Sequence, residues 1–191
     1  LQYRGPIQAP VLQGRQYDVT DIRLYLGGPA GAGKSTVADL LVRRFGFLRV
    51  SLGDVVRHEC AARGIPPTRS HLQTMGDALR GGRSAALAIA AHRSIPATAA
   101  RVVIDGVRLH AEAMYLQGAG YVGMAVEAPS SVRSARLLAR DGTVEVSAHV
   151  TEVQAETLPV DVHLLNDHDD PVFLGWRLLA LLGDLERGRA V

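Results

Sequence analysis

Ile22-Arg23-Leu24-Tyr25-Leu26-Gly27-Gly28-Pro29-Ala30-Gly31-Ala32-Gly33-Lys34-Ser35-Thr36 is the stretch from which the rest of the chain can be read. Ile22 to Leu26 is a short β-rich run that stops at the glycine pair Gly27-Gly28, a strand ending in a turn. Thr36 to Phe45 places Val37, Leu40, Leu41 and Phe45 at helical spacing, and Gly46 stands where a C-cap belongs. Between them, Gly28 to Ser35 fills the pattern G-x-x-x-x-G-K-[ST] at every position, and strand before and helix after are the context that pattern requires. Glycines let the backbone fold tightly enough for successive N–H groups to point inward, while the helix N-terminus adds partial positive charge. The result is an anion cradle built from Gly28, Ala30, Gly31, Ala32, Gly33 and the first-turn residues Lys34, Ser35 and Thr36. Lys34 is expected to reach the β- and γ-phosphates of ATP, and the Ser35 hydroxyl to ligate Mg²⁺. A glycine turn with a surface lysine is the competing reading; the flanking strand and helix weigh against it.

The bulk of the chain agrees with one folded enzyme-sized domain. It has 191 residues, 47% hydrophobic and 21% charged, values of ordinary globular proteins. The net charge is +2 and the basic residues are scattered, so nucleic acid is not an expected partner. Of 21 basic residues only Lys34 is a lysine, which makes it a clean target for chemistry. The single cysteine, Cys60, excludes an intrachain disulfide and reads as a half-buried helix residue in a reducing compartment. No apolar stretch reaches the ~18 residues of a membrane span, and the expectation is a cytoplasmic protein without membrane contact. Residues 1–20 carry Gly5, Pro6, Pro10 and Gly14 without sustained periodicity, an extended arm or linker that could join a fused or partner domain. Residues 21–191 are expected to form the domain.

Along that domain strands and helices alternate. Phe47 to Ser51 reads as a second strand and Asp54 to Arg63 as a helix closed by Gly64 and Pro66-Pro67. Helical stretches follow at His71 to Arg80 and Ala85 to Arg93, then strands at Arg101 to Ile104, Tyr121 to Val126 and Val160 to Leu165, and a last helix over Pro171 to Leu185. Alternation of this kind means right-handed crossovers and a five-stranded parallel sheet with helices on both faces, a three-layer α/β fold. Val102-Val103-Ile104-Asp105 is an apolar strand ending in a carboxylate. Asp105 suits either the water shell of Mg²⁺ beside the loop or the N-cap of a following helix.

From Gly28 to about Leu182 the chain resembles the P-loop nucleoside monophosphate kinase superfamily, with its adenylate-kinase-like, deoxynucleotide monophosphate kinase and dephospho-coenzyme A kinase branches. The resemblance rests on the phosphate loop, Val50-Ser51-Leu52-Gly53-Asp54-Val55-Val56-Arg57, Val103-Ile104-Asp105-Gly106-Val107-Arg108, the arginines Arg133, Arg136 and Arg140 before Asp141-Gly142, and Leu165-Asn166-Asp167. It implies a P-loop NTPase fold with a short helical lid, ATP and Mg²⁺ as cofactors, and a phosphorylated small-molecule acceptor. It also implies that Asp54 approaches the acceptor or its metal, that Arg57, Arg108 and Arg133 bind acceptor phosphate, that Arg136 and Arg140 close over the transferring group, and that Asn166 contacts adenine. The plainer alternatives are a helix-start residue for Asp54, solvated surface residues for the arginines, and a polar strand-to-helix turn for Asn166. The arginines at 133, 136 and 140 share one helix face by spacing alone. The segment from Asp141 to Val150 is too short for a zinc-bearing lid, and Gly53-Asp54 replaces the double aspartate of a dephospho-coenzyme A kinase. The expected activity is therefore γ-phosphoryl transfer from ATP to a nucleoside or deoxynucleoside monophosphate. Dephospho-coenzyme A or a specialised metabolite as acceptor, and a non-enzymatic nucleotide-binding module, are the alternatives.

Overall fold

The computed structural model describes residues 21–81, 85–142, 154–168 and 170–187. The arm over residues 1–20 and the lid segment after Gly142 lie outside the described residues. The elements run β1 (Ile22–Gly27), α1 (Lys34–Phe45), β2 (Leu48–Ser51), α2 (Leu52–Ala62), α3 (Arg69–Arg80), α4 (Ala86–Ser94), β3 (Arg101–Asp105), α5 (His110–Gly118), β4 (Val122–Glu127), α6 (Ser130–Asp141), β5 (Val162–Leu165) and α7 (Pro171–Glu186).

All five strands pair in parallel, in the order β2-β3-β1-β4-β5. Because successive strand residues face opposite sides, β1 sends Leu24 and Leu26 into one apolar layer and Tyr25 into the other. The first layer is closed by Val37, Ala38 and Leu41 of α1 and by Leu174, Leu178 and Leu182 of α7. The second is closed by Leu52, Val56 and Cys60 of α2, Met75 of α3, Leu87, Ala88 and Ala91 of α4, and Ala113 and Leu116 of α5. The sheet is thus covered on both faces, the three-layer α/β architecture that alternation demands. Each fully buried Leu or Val contributes about 1.5–3 kcal/mol.

The starts of α2 and α3 lie two residues earlier than apolar periodicity indicates, because caps and not core contacts set them. α2 begins at Leu52 because the Ser51 hydroxyl accepts the Asp54 N–H at 3.2 Å, and α3 begins at Arg69 behind Thr68, which caps His71. The N-cap reading of Asp105 is overturned. Asp105 is the last residue of β3, and α5 starts five positions later behind Leu109. No helix of the described residues is long and apolar enough to cross a membrane.

Candidate active site

The phosphate loop leaves the C-terminal end of β1 and turns directly into α1. Gly28 has φ +116°, and a Cβ there would sit 2.2 Å from the carbonyl oxygen of Val126 on β4. The first turn of the loop is therefore pressed against the neighbouring strand, and only glycine fits. A Gly28→Ala variant should lose about 1–3 kcal/mol from backbone strain alone together with nucleotide binding; a denaturant melt and an ATP titration would check both. Gly33, at φ 95°, caps α1 without any side-chain hydrogen bond, and the first turn holds no acidic residue. By contrast α2, α3 and α7 are capped by Ser51, Thr68 and Asp170. The opening amides of α1 are left for an anion, which is what a glycine-rich loop at a helix N-terminus supplies. Lys34 curls back over this turn, its Nζ donating to the carbonyls of Gly28 at 2.7 Å and Pro29 at 2.8 Å. The ammonium is thereby held at the mouth of the loop.

Strand order puts β3 beside β1, with Tyr25 opposite Ile104, and so brings Asp105 alongside the loop. The Asp105 side chain is 8% exposed and accepts from Arg49 NH2 at 2.6 Å. Arg49 NH1 reaches Asp39 of α1 at 2.7 Å. On the far side of β3 lies β2, with Ser51 opposite Asp105, and the start of α2 touches the turn after Asp105. A Cβ on Gly106, whose φ is +84°, would lie 3.2 Å from the Gly53 nitrogen. Asp54 and Arg57 stand on this helix as an exposed pair, Oδ1 of Asp54 accepting from Nε and NH2 of Arg57 at 3.1 and 2.7 Å. Asp105 consequently stands between the phosphate loop and the Asp54–Arg57 segment.

The turn that carries Arg108 is fixed from inside. Glu112 of α5 is fully buried, its Oε2 accepting the N–H groups of Arg108 at 2.9 Å and Leu109 at 3.1 Å. Its Oε1 accepts from Nε and NH2 of Arg80 at 3.1 and 3.0 Å, which ties the end of α3 to the same turn.

On the other flank of the loop, Asn166 is buried and donates from Nδ2 to the Ala32 carbonyl at 2.8 Å. Arg136 of α6 donates to the carbonyls of Asn166 at 3.1 Å and His168 at 3.3 Å. Arg177 holds the Leu165 carbonyl and Asp167, each at 2.6 Å, and its hydrogen bond keeps the Asp167 carboxyl below its usual range. The His168 and Phe173 rings stack with centroids 5.2 Å apart. Gly33, Thr36, Arg136, Asn166, His168, Pro171 and Leu174 enclose a cleft of about 140 Å³ opening beside the loop. A larger hollow of about 470 Å³, between Phe45, Leu48 and Arg101, lies where β2 and β3 begin, at the opposite end of the strands from the loop. It shares no residue with the phosphate loop.

The site residues expected from sequence thus fall into groups. Lys34, Ser35, Thr36, Asp105, Arg136 and Asn166 surround the loop, and Arg133 joins them through its backbone, since a Cβ on Gly31 would lie 2.7 Å from the Arg133 carbonyl oxygen. Asp54 and Arg57 stand on the β2–β3 side, and Arg108 follows β3 in the turn that Glu112 holds. Arg140 is exposed at the last turn of α6, next to the residues that are not described. Asn166 and Arg136 brace the loop and its flanking turn through these bonds. Arg49, Arg80, Glu112, His168 and Phe173 were missed. A charged residue inside the apolar run Phe47-Leu48-Arg49-Val50 was the available signal for the first of them.

For Mg²⁺, the donors present are oxygens: the exposed Ser35 hydroxyl in the first turn of α1 and the Asp105 carboxylate, whose Oδ1 has no partner among the described residues. This set fits a hard cation that keeps most of its water and shares phosphate oxygens. Among the described residues no group of three His, Cys, Asp or Glu side chains is gathered for a metal, so phosphate and water would complete the shell.

Known proteins share the sequence and the fold that carry this arrangement. Residues 27–152 match the AAA domain family model. A UPF0200 protein of Aeropyrum pernix is 34% identical over 131 residues, 66% of this chain and 69% of the relative. One from Thermococcus gammatolerans is 36% identical over 121 residues, 59% of this chain and 63% of the relative. Among solved structures, TT1252 from Thermus thermophilus has a TM-score of 0.56 at 20% identity, covering 87% of this chain and 98% of that one. A gluconokinase from Sinorhizobium meliloti has a TM-score of 0.55 at 19% identity, covering 88% and 95%. At such identities these structures share the fold, a P-loop kinase-like architecture. With a complete phosphate loop inside the matched region, the chain belongs to the AAA domain family of P-loop proteins and to the UPF0200 proteins within its matched range.

Proposed function

We propose that the protein is an ATP-dependent small-molecule kinase whose acceptor is itself phosphorylated, a nucleoside or deoxynucleoside monophosphate before others. The observation that carries this reading is the position of Asp105, flanked by the phosphate loop on one side and by the Asp54–Arg57 segment on the other. A donor cradle and a cationic acceptor face on either side of one carboxylate is the arrangement that in-line transfer between two anions needs.

In this reading the loop amides and Lys34 hold the β- and γ-phosphates of ATP. The cleft beside Asn166 and His168 takes the adenine. Arg57 and Arg108 hold the acceptor phosphate and offset the charge repulsion between the two substrates. Ser35 and Asp105 would hold Mg²⁺, which when bound neutralises phosphate charge and orients the γ-phosphoryl group. Arg136, through the carbonyls of Asn166 and His168, keeps the adenine-side turn closed on the loop. Transfer gives ADP and an acceptor carrying one more phosphoryl group.

A second reading keeps the donor side and takes an alcohol acceptor. Both guanidinium bonds of Arg57 fall on Oδ1 of Asp54, which leaves Oδ2 to accept a hydroxyl proton. A coupled ADP-release assay with ATP and Mg²⁺ over nucleoside monophosphates, deoxynucleoside monophosphates, dephospho-coenzyme A and unphosphorylated sugars separates the two. Release with the monophosphates alone is the expected result. Release with the alcohols alone selects the second reading, and tight ATP binding without any acceptor-dependent release contradicts both in favour of a non-enzymatic nucleotide-binding module.

A further inference from the structure

Arg49 is a charged group in direct contact with Asp105 that the kinase reading leaves without a task. Its guanidinium is 25% exposed and bridges two carboxylates, Asp39 on α1 and Asp105 on β3, at 2.7 and 2.6 Å. The register explains how it gets there. Ser51 is opposite Asp105, and Arg49 lies two residues earlier on β2, so both project on one face of the sheet and Arg49 reaches diagonally to the strand end. Asp39 follows Ser35 by four residues and shares its side of α1. The bridge therefore links the helix that begins in the phosphate loop to the carboxylate beside it. It also splits the functions of Asp105, anchoring Oδ2 and leaving Oδ1 with no partner among the described residues. The Nε of Arg49 is buried without a hydrogen-bond partner. The guanidinium is thus held by its two terminal nitrogens, on the two acids.

Resting on the kinase reading, we propose that Arg49 is a positioning residue that orients the Asp105 carboxylate and, as a resident cation, weakens the attraction of that carboxylate for Mg²⁺. Two cations share one acid. Removing the protein's own cation leaves the carboxylate's full negative charge to the metal while its orientation is lost, so metal affinity and turnover should move in opposite directions. A structural strut would not produce that split. Asp39 sets the strength of the effect. Without it, Arg49 has Asp105 as its remaining partner and competes harder with the metal.

The test is calorimetric titration of ATP into the protein over a series of Mg²⁺ concentrations, alongside turnover with whichever acceptor is active. Arg49→Gln is expected to lower the Mg²⁺ concentration at half-effect for ATP binding by roughly three- to ten-fold, a screened single-charge effect, and to lower kcat. Arg49→Lys should return the Mg²⁺ dependence toward wild type. Asp39→Asn, at a side chain 48% exposed and so tolerant of change, should raise the half-effect concentration, and it keeps the proposal testable if Arg49→Gln fails to fold. A half-effect concentration in both Arg49→Gln and Asp39→Asn that is within two-fold of wild type, or that moves in the direction opposite to these expectations, overturns the proposal. Wild-type protein that binds no ATP at any Mg²⁺ concentration overturns the kinase reading itself, and this inference with it.

Discussion

Replacing Lys34 with alanine is expected to reduce kcat/KM by roughly 30- to 900-fold, a loss of about 2 to 4 kcal/mol of transition-state stabilisation. The ammonium is pinned at the loop mouth by the carbonyls of Gly28 and Pro29, so its charge is in place before the γ-phosphoryl group develops negative charge in transfer. No other residue can substitute, because the chain holds no second lysine and arginine presents a planar fork instead of a compact charge. Steady-state kinetics on the Lys34→Ala protein checks the value, with a thermal melt to show that the fold is intact. The single lysine also permits a test without turnover. Amine modification of Lys34, read by peptide mass mapping, should be slowed by ATP with Mg²⁺, while the terminal amine should label as before. Near-normal turnover in the alanine variant would contradict the assignment.

Replacing Glu112 with alanine is expected to destabilise the fold by about 3–5 kcal/mol, the cost of breaking a buried ion pair by removing one partner. That is a large part of the ~5–15 kcal/mol typical of a domain, and it corresponds to a fall in Tm of roughly 6 to 20 °C. Glu112 is fully buried and meets four donor groups: the Arg108 and Leu109 amides and two nitrogens of Arg80. Its loss leaves a guanidinium that is only 10% exposed with a 3.5 Å contact to Asp77 in place of two short bonds, and leaves two amides without their acceptor. The double variant Arg80→Leu with Glu112→Leu should recover much of the stability, since an apolar pair of similar volume removes both charges at once. Urea denaturation of the three proteins measures the coupling. A single-variant loss below about 1 kcal/mol would show that the pair behaves as a surface pair does.

The contrast between these two residues shows which parts of the molecule can be read from a linear chain. Lys34 was legible because everything that gives it meaning is local: the strand ends seven residues before it, the helix starts with it, and glycines supply the turn. Strand and helix order was legible for the same reason, since apolar runs and glycine or proline breaks are local signals. Arg49 and Asp105 are 56 positions apart and Arg80 and Glu112 are 32 apart. Both pairs exist because β2 pairs with β3 and because the Arg80 side chain at the end of α3 reaches the first turn of α5, facts set by the sheet order and by side-chain packing. The spacing of charges along the chain carries no trace of them. Glu112 had a partial signal, a glutamate in the first turn of a helix, but the residue at its N-cap is Leu109 and the S/T-x-x-E pattern of a capping box is missing. Asp105 was ambiguous because aspartate favours both helix starts and metal sites; the strand boundary excludes the helix start. The arginines of α6 were readable as one face, but Arg136 turning toward the carbonyls of Asn166 and His168 depends on where β5 ends, which the helix spacing does not encode.

The central claim is that the uncapped start of α1, with Lys34 folded back over it, grips the triphosphate of ATP. Calorimetric titration of ATP with Mg²⁺ into folded protein tests it most directly. The account predicts saturable binding at one site per chain, lost or weakened by at least ten-fold, about 1.4 kcal/mol, in Lys34→Ala protein of unchanged fold. Folded wild-type protein that gives no saturable heat with ATP, or a Lys34→Ala variant that binds as tightly as wild type, would contradict it.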